Sequence, residues 1–402
     1  MISLSGESAL FDYATKLQTF VRDHEKWRTK KTLNLIPSEN FASERTRSYL
    51  SSDLSNRYSA RDHFYKGTKF ADEIENLAVT IAKKLYRAKF ADVRALSGHT
   101  CSLILFLSFL KPQDKVLTCP PESGGYPGSS AVGLGGLLGL ENLYFPYDAK
   151  IMNIIPYKTR KLIASKNPEM TIFGSSFIPF PYDLKSSIPK GYSGVKVYDG
   201  SHVMGLIAGG TFQQPLREGA SILIGSTHKT LFGPQGGLIL SNDESLFSVI
   251  DSKVYPGIVD NIHWNRVAGL AFALIELAKF GRAYSRQVIR NSRAIARALD
   301  EMGASVKCSE IGYTKSHQVL LGYNVQESNE IAQKLEMVDI ISDTGIRLGT
   351  SEITRRGMKE REMNEIAQLI VDAISGKESS EKIRRRVHRL VSEFSSLEYC
   401  LK

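Results

Sequence analysis

Hydrophobic and polar residues follow two alternating patterns between residues 70 and 240. Short apolar runs predict β-strands near 92–96, 115–118, 170–174, 195–199 and 221–225. Apolar residues at helical spacing predict helices over 73–87 and 100–110. Strands that alternate with helices in this way indicate an α/β fold, with a mostly parallel sheet covered by helices on both faces. Ligands of such sheets bind beyond the carboxyl ends of the strands, so the functional residues are expected there.

The patterns on either side of this region divide the chain into three predicted parts. Residues 1–55 form an N-terminal arm that is helical over 8–29 and continues as a loop, where Pro37 excludes a helix. Residues 56–262 form the large domain. A long helix over 263–302 begins a smaller C-terminal α/β domain, which comprises residues 263–402.

Composition places the chain among ordinary globular proteins. It has 402 residues, 42% of them hydrophobic, and its longest uninterrupted apolar runs are too short to span a bilayer. No secretory signal pattern is visible at the N-terminus, so a soluble, cytoplasmic protein without a membrane partner is expected. The four cysteines (Cys101, Cys119, Cys308 and Cys400) lack the paired spacing of a metal or redox site, so neither a metal nor a disulfide is expected.

A net charge of +10 allows two interpretations of the C-terminal segment. Its basic residues are Lys382, Arg384, Arg385, Arg386 and Arg389. Such a run could contact nucleic acid. The same segment has apolar residues at helical spacing, which is typical of an amphipathic helix with a solvated basic face. The second interpretation is favoured because no aromatic binding platform accompanies the run, and nucleic acid is not expected as a partner.

Two apolar runs near the middle of the chain lead to residues that suit one cofactor. The run at 195–198 is followed by Asp199, and the run at 222–225 is followed by a Ser-Thr-His segment that leads to Lys229. If both runs are buried strands, the aspartate and the lysine meet at one edge of the sheet. A lysine can form a Schiff base, and an aspartate can hold a protonated pyridine nitrogen. Pyridoxal 5'-phosphate (PLP) needs both groups, so a PLP-dependent enzyme is predicted.

Each of these residues also has an ordinary structural interpretation. A lysine after a strand is usually solvated, but Lys229 precedes a glycine-rich turn at 233–237, which lets the chain approach a ligand closely. Asp199 could cap a helix. His202 could contact the phenolic oxygen or the face of the PLP ring, or it could be a structural histidine with satisfied hydrogen bonds. The presence of all three residues favours the cofactor site.

Two further segments are candidate anion sites. Ser97, Gly98, His99 and Thr100 follow a short predicted strand and begin a helix, an arrangement that suits the cofactor phosphate. Arg347 lies on a predicted strand, where a surface ion pair is the commoner role. A PLP enzyme must hold the α-carboxylate of its amino-acid substrate, and arginine offers a bidentate fork for it, so this role is favoured for Arg347.

Through a series of motifs, the chain resembles serine hydroxymethyltransferase, also called glycine hydroxymethyltransferase, a family of fold type I PLP enzymes. The matches lie in order at 35–40, 72–77, 97–98, 174–176, 199–202, 227–231, 233–237, 345–350 and 354–357. The resemblance implies an enzyme that makes or breaks the Cα–Cβ bond of a 3-hydroxy amino acid, as in the conversion of serine to glycine.

The resemblance also implies roles in cofactor binding. Lys229 forms the Schiff base with PLP, and Asp199 pairs with the pyridine nitrogen. His202 and Ser176 contact the phenolic oxygen. The remaining residues assigned to the cofactor are Ser97, Gly98, His99, Thr100, Thr227 and His228.

A second group of matched residues is implied to act on the substrate or across a dimer. Ser38 and Arg347 bind the substrate carboxylate. Tyr58 and Tyr65 match two family tyrosines near the active site; the first reaches the phosphate of the partner subunit, and the second is assigned to catalysis and substrate binding. A homodimer with shared active sites is therefore implied.

The chain departs from the family at two positions that carry chemistry. The family has Tyr-Ala-Glu-Gly-Tyr-Pro-Gly, whose glutamate is the acid/base group, whereas residues 58–65 contain no glutamate. Asp62 or His63 could take over the proton transfer. The family's His-Gly-Gly-His supplies the ring that stacks on PLP, whereas residues 123–126 are Ser-Gly-Gly-Tyr. Tyr126 or His99 is left to cover the cofactor.

A third departure concerns folate. The long loop that contributes to the family's folate pocket is nearly absent, since residues 337–342 lead almost directly to Arg347. The resemblance implies serine with tetrahydrofolate as the default pair of substrates. Because the folate loop is nearly absent, tetrahydrofolate is in doubt, and a folate-independent aldolase or transaldolase is also expected. Alternatives are another PLP reaction on the same fold, such as transamination, racemisation or β-elimination, and a non-catalytic relative.

Overall fold

The computed structural model of the chain describes residues 7–59, 64–345 and 347–401. Its α-helices are α1 (Glu7–Lys30), α2 (Glu44–Leu50), α3 (Lys69–Tyr86), α4 (Gly98–Phe109), α5 (Leu134–Leu137), α6 (Pro156–Lys166), α7 (Leu184–Ser187), α8 (Met204–Ala208), α9 (Pro215–Glu218), α10 (Glu244–Ser252), α11 (Trp264–Glu301), α12 (Val325–Glu336), α13 (Ser351–Arg355), α14 (Glu360–Ser375) and α15 (Ser380–Glu393). Its β-strands are β1 (Leu33–Asn34), β2 (Phe90–Asp92), β3 (Lys115–Thr118), β4 (Glu141–Tyr144), β5 (Tyr147–Asp148), β6 (Asn153–Ile154), β7 (Met170–Phe173), β8 (Val195–Asp199), β9 (Ile222–Ser226), β10 (Gly237–Ser241), β11 (Gln318–Leu320), β12 (Ile340–Ile341) and β13 (Arg347–Gly349).

A seven-stranded sheet lies at the centre of the fold, in the order β2-β10-β9-β8-β7-β3-β4. Neighbouring strands from β4 to β9 are parallel, and β10 is antiparallel to both β9 and β2. Every residue of β7, β9 and β10 is buried. Burial on both faces explains why these strands have continuous apolar runs. The α/β fold class with a mostly parallel sheet is confirmed.

Most of the predicted elements match the structure. The strands predicted near 115–118, 170–174, 195–199 and 221–225 correspond to β3, β7, β8 and β9, and the long helix predicted over 263–302 is α11. The sequence does not predict β4, because none of its residues is fully buried and it carries no apolar run. It also does not predict β10, which follows the glycine-rich turn directly.

Helix α11 connects two hydrophobic clusters. The larger cluster surrounds the central sheet and includes Leu270 and Leu274 of α11. The smaller cluster includes Ile295 and Leu299 of the same helix, together with Leu33 from β1. β1 pairs in parallel with β12, so part of the segment predicted as a loop is a short strand inside the smaller cluster. The predicted boundaries at residues 55 and 262 stay predictions.

A buried ion pair holds the N-terminal segment and the C-terminus to α11. Arg355 of α13 donates to Glu276 of α11 at 2.8 Å, and both side chains are fully buried. The guanidinium of Arg355 lies 3.9 Å from the ring centroid of Phe232 and also donates to the carbonyl of Phe41. A buried charge is tolerated only with such partners. These contacts join α13 to α11 and to the N-terminal segment at Phe41.

The C-terminal helix α15 has the amphipathic character that the sequence predicts. Its apolar residues Ile383, Val387, Leu390 and Val391 are buried. Several of its basic residues form ion pairs with acidic neighbours, as Arg386 does with Asp372 and Glu378 at 2.7 Å. In the part of the chain that the structure describes, no helix is both long and apolar enough to cross a membrane.

Candidate active site

The carboxyl ends of the parallel strands surround a cavity of about 270 Å³. Asp199 is the last residue of β8, and β9 ends at Ser226, three residues before Lys229. The two strands are adjacent, with Asp199 paired to Ile224. Because neighbouring strands end together, the aspartate and the lysine both line the cavity, as the sequence predicts.

The cavity brings together many of the predicted site residues. Those that line it are Ser97, Gly98, His99, Ser176, Asp199, His202, His228 and Lys229. The other lining residues are Tyr126, Ser175, Ser201 and Ser226. For Tyr126, the sequence predicts only a possible role in covering the cofactor. The three serines have no predicted role, because serines at strand ends are common and carry no distinctive signal.

One wall of the cavity is the first turn of α4. Ser97 caps this helix, since its Oγ accepts a hydrogen bond from the backbone N–H of Thr100 at 3.0 Å. The hydroxyl of Thr100 lies 2.9 Å from the same Oγ, so Thr100 completes the cap and does not line the cavity. The amide groups at the start of a helix have no partner within the helix, and they carry a partial positive charge. They can hold a phosphate.

Gly98 allows this turn to approach β9 closely. A Cβ atom added at Gly98 would lie 2.5 Å from the Oγ of Ser226 and 3.1 Å from the Oγ of Ser201. Any larger residue would therefore push the helix away from the strand. The glycine is needed for close packing here, and not for an unusual backbone angle.

Lys229 is a buried amine with a lowered pKa. Burial is the main cause that lowers its pKa to about 8; the charge of Asp199 opposes the shift, and that of Arg347 contributes to it. The carbonyl of Lys229 accepts a hydrogen bond from Asn40 Nδ2 at 2.8 Å, which fixes the turn against the N-terminal segment. A larger fraction of neutral amine is available near neutral pH than on an exposed lysine, and the neutral amine is the nucleophile.

Asp199 is held at the sheet edge by local contacts. Its Oδ1 accepts a hydrogen bond from the N–H of Ser201 at 2.9 Å, but Asp199 does not cap a helix, because the next helix, α8, has Val203 at its cap position. A Cβ atom on Gly174 would lie 2.6 Å from the Cβ of Asp199, so the glycine after β7 leaves room for the carboxylate. A carboxylate fixed in this way can pair with a protonated ring nitrogen.

Two histidines of the cavity are kept neutral. Burial lowers the pKa of His202 well below its usual value, and the positive charges of Lys229 and Arg347 add to this effect. Burial also lowers the pKa of His228 to about 4. The Nδ1 atom of His228 is buried without a hydrogen-bond partner in the described structure. A buried polar atom of this kind usually has a ligand or water as its partner.

Tyr126 and His99 form a pair at the mouth of the cavity. The phenol oxygen of Tyr126 lies 3.2 Å from Nδ1 of His99, and the two rings meet edge to face with 5.9 Å between centroids. Tyr126 is 38% exposed, so its ring is partly free to contact a ligand. Both candidates for covering the cofactor therefore lie together.

Arg347 lies next to the cavity and is already oriented. Its Nε donates to Asp343 Oδ2 at 2.7 Å, and its Nη1 donates to the carbonyl of Ser176 at 2.7 Å. Ser38 is half-buried in a segment tied to the same strand, since Gly349 N–H donates to the carbonyl of Leu35 at 2.7 Å. The predicted carboxylate-binding residues are thus positioned by one strand, β13.

Several predicted residues lie away from the cavity. Thr227 is buried, and its hydroxyl donates to the carbonyl of Pro234 at 2.6 Å, which stabilises the glycine-rich turn. Tyr58 and Tyr65 are exposed by 48% and 41%, and their rings lie 5.1 Å apart. Asp62 and His63, the candidate replacements for the family glutamate, lie outside the described residues.

The cavity has a group for each part of PLP. Lys229 can bond to the aldehyde carbon, Asp199 can pair with the pyridine nitrogen, and the start of α4 can hold the phosphate. The residues present therefore fit this cofactor.

Comparisons with known proteins agree with this chemistry. The family model for serine hydroxymethyltransferase matches residues 12–370. The serine hydroxymethyltransferase of Methanocella arvoryzae is 39% identical over 392 residues, which cover 92% of each chain. That of Methanocaldococcus jannaschii is 39% identical over 94% of each chain. The crystal structure of L-threonine transaldolase from Pseudomonas fluorescens, in its internal aldimine state, superposes with a TM-score of 0.91 at 26% identity and covers 98% of this chain and 95% of its own.

Proposed function

The chain belongs to the serine hydroxymethyltransferase family and is a PLP-dependent transferase of fold type I, and on this premise we propose that it cleaves and forms the Cα–Cβ bond of 3-hydroxy amino acids without tetrahydrofolate. An aldehyde leaves when the bond breaks, and a second aldehyde can take its place on the glycine that remains. The reaction is thus that of an aldolase or transaldolase.

Arg347 and Ser38 are proposed to orient the substrate. Asp343 accepts from Nε and the carbonyl of Ser176 accepts from Nη1, so Nη2 of the Arg347 guanidinium is the group proposed to bind a carboxylate. When bound, PLP takes up the electron pair that the broken bond leaves at Cα. The carboxylate contact would fix how the substrate lies against the cofactor, and so which bond at Cα is cleaved.

Lys229 and the cavity residues are proposed to manage charge and protons. Lys229 would hold the cofactor, and as a free amine with a pKa of about 8 it would accept or return a proton at Cα. Asp199 stabilises the proton on the pyridine nitrogen. The proton of the Cβ hydroxyl needs a separate base, and Tyr65 or a residue of the 60–63 segment is proposed for it.

The observation that carries the folate-free proposal is the short turn before Arg347. Asp343 Oδ1 accepts from the N–H of Arg347 at 3.0 Å, so this carboxylate contacts the start of β13 at the place where the family has its long folate loop. This supports loss of part of the folate pocket. The likeness to an L-threonine transaldolase points in the same direction.

Hydroxymethyl transfer with tetrahydrofolate is the second candidate. It is favoured by 39% identity to archaeal proteins that are named serine hydroxymethyltransferases. The two candidate functions differ in whether cleavage of the substrate requires tetrahydrofolate. One experiment separates them.

Purified protein with PLP would be given threonine or serine, each with and without tetrahydrofolate, and the aldehyde released would be measured by coupled reduction. We expect acetaldehyde from threonine at a rate that does not depend on folate, and no activity in Lys229→Ala. Addition of a second aldehyde should give a new 3-hydroxy amino acid. Cleavage of serine that requires tetrahydrofolate, with threonine inert, would reject the folate-free proposal.

We also propose a homodimer in which Tyr58 and Tyr65 complete the site of the partner subunit. Both side chains are exposed and lie away from the cavity of their own chain, beside Phe64, which is 76% exposed. Mixing the separately inactive variants Lys229→Ala and Tyr65→Ala would then restore activity, because every mixed dimer contains one intact site, formed by Lys229 of one chain and Tyr65 of the other. Absence of any recovery in proven mixed dimers would contradict shared sites. Action in the cytoplasm stays a prediction from the sequence.

A further inference from the structure

Gln318, the first residue of β11, makes three contacts through its side-chain amide. Its Oε1 accepts from the N–H of Ile178 at 2.8 Å. Its Nε2 donates to the carbonyl of Ser176 at 2.9 Å and lies 3.0 Å from Nδ1 of His202. Gln318 is fully buried, and His202 is 6% exposed, so water does not compete for these hydrogen bonds.

The two backbone partners decide which way the amide points. If the amide were reversed, its NH₂ would face the N–H of Ile178, and its oxygen would face the carbonyl of Ser176. Two donors would then oppose each other, and so would two acceptors. The orientation of Gln318 is therefore determined without reference to the histidine.

The orientation of Gln318 in turn determines the protonation of His202. Since Nε2 of the glutamine is a donor, Nδ1 of His202 must accept. The ring stays neutral because burial lowers its pKa, as do the nearby charges of Lys229 and Arg347 and the neighbouring His228 and His317. The proton of the neutral ring is then on Nε2, the nitrogen that is left for the cavity.

We propose that Gln318 is a positioning residue that holds His202 in the Nε2–H tautomer, so that the histidine donates a hydrogen bond to the phenolic oxygen of PLP. The tautomer is a property of the protein alone, whereas the hydrogen bond to the cofactor rests on the proposed function. The carbonyl of Ser176 accepts from both Gln318 and Arg347, so the same group also joins this residue to the predicted carboxylate site.

The tautomer can be measured in the protein without cofactor. Long-range ¹H–¹⁵N NMR of histidine-labelled protein, with His202→Asn used to assign the signal, should show an unprotonated Nδ1 and a protonated Nε2. In Gln318→Glu a carboxylate oxygen faces Nδ1, and a proton should appear there. A wild-type signal with the proton on Nδ1 would overturn the proposal, and this result does not depend on how any Gln318 variant folds.

The consequence for the cofactor can be measured by spectroscopy. A donor at the phenolic oxygen favours loss of the proton that this oxygen shares with the Lys229 nitrogen. In Gln318→Met, which keeps the length of the side chain, the pH midpoint of the visible spectrum of bound PLP should rise by about one pH unit. The exposed Gln326→Met is the matched control and should leave the midpoint unchanged.

The NMR measurement tests the tautomer of His202, and the spectroscopic measurement tests the effect of Gln318 on PLP. An unchanged midpoint in Gln318→Met would reject the role of Gln318 toward PLP, even if the NMR result held. If the wild-type protein takes up no PLP, the proposed function fails, and the tautomer is still decided by the NMR spectrum.

Discussion

Replacing Gly98 with alanine should weaken PLP binding through a steric conflict that can be located in the structure. The added methyl group would lie 2.5 Å from the Oγ of Ser226 and 3.2 Å from its backbone nitrogen. The contact with Oγ is too short to persist, and the backbone of Ser226 cannot move easily, because β9 is hydrogen-bonded to strands on both sides. The first turn of α4 must therefore shift, and with it the amides proposed to hold the phosphate.

The size of the effect follows from the cost of overpacking. Inserting a methyl group into a filled site costs about 1–3 kcal/mol. If this cost falls on the bound state, PLP binding weakens by about 5-fold to 150-fold, since about 1.4 kcal/mol is a factor of ten. Titration of the cofactor-free protein with PLP, followed by absorbance, measures this change directly.

A second substitution at the clashing residue makes the test specific. Gly98→Ala combined with Ser226→Gly removes the contact with Oγ and should recover most of the affinity, so the two changes should be strongly non-additive. Gly257→Ala is the control, because an added Cβ atom there has no neighbour closer than 3.8 Å. Additive effects of the two substitutions, or an alanine variant with native affinity, would refute the steric argument.

Three other outcomes are expected. Arg347→Lys keeps the charge but loses the fork that Asp343 orients, so KM for the amino-acid substrate should rise by about 10-fold to 100-fold in steady-state assays while PLP affinity stays the same. Because burial lowers the pKa of Lys229 to about 8 and the neutral amine is the nucleophile, the rate of PLP uptake should rise with pH around a midpoint near 8; a midpoint near the usual lysine value of 10.5 would contradict this. Glu276→Gln leaves the Arg355 guanidinium buried without a carboxylate, so urea denaturation should show a free energy of unfolding lower by about 3–5 kcal/mol.

Complete burial makes a strand easy to predict from the sequence, except where a glycine-rich turn runs directly into it, as at the start of the equally buried β10. β7 and β9 are buried along their whole length, so their apolar runs are unbroken and their limits are readable. β4 is an edge strand with no fully buried residue, and nothing in its four residues separates it from a loop. β4 is a strand because it pairs with β3, and not because of a pattern in its own residues.

In the candidate site, too, some residues are predictable from the local sequence, whereas others depend on contacts with distant parts of the chain. Asp199 and Lys229 are predictable because each follows a recognisable strand at the edge where ligands bind. The contacts of Gln318 are not predictable in this way, since its partners His202 and Ser176 are 116 and 142 residues away along the chain. No periodicity relates such positions. They meet only because β11 contacts the segments that follow β7 and β8.

The departures expected from the family resemblance affect both sides of the site: residues 123–126 lack the histidine that would stack on PLP, and the segment before β13 is short where the folate loop is expected. On the cofactor side, Lys229 and Asp199 are retained in the family positions. On the other side, the shortened segment before β13 brings Asp343 into contact with Arg347, which a long loop between them would not require. The loss of the loop therefore has a structural consequence of its own: the arginine proposed for the substrate carboxylate is held in place before substrate arrives. An arginine that is already oriented loses less conformational freedom on binding, so this arrangement favours precise placement of a small amino acid over accommodation of a large second cofactor.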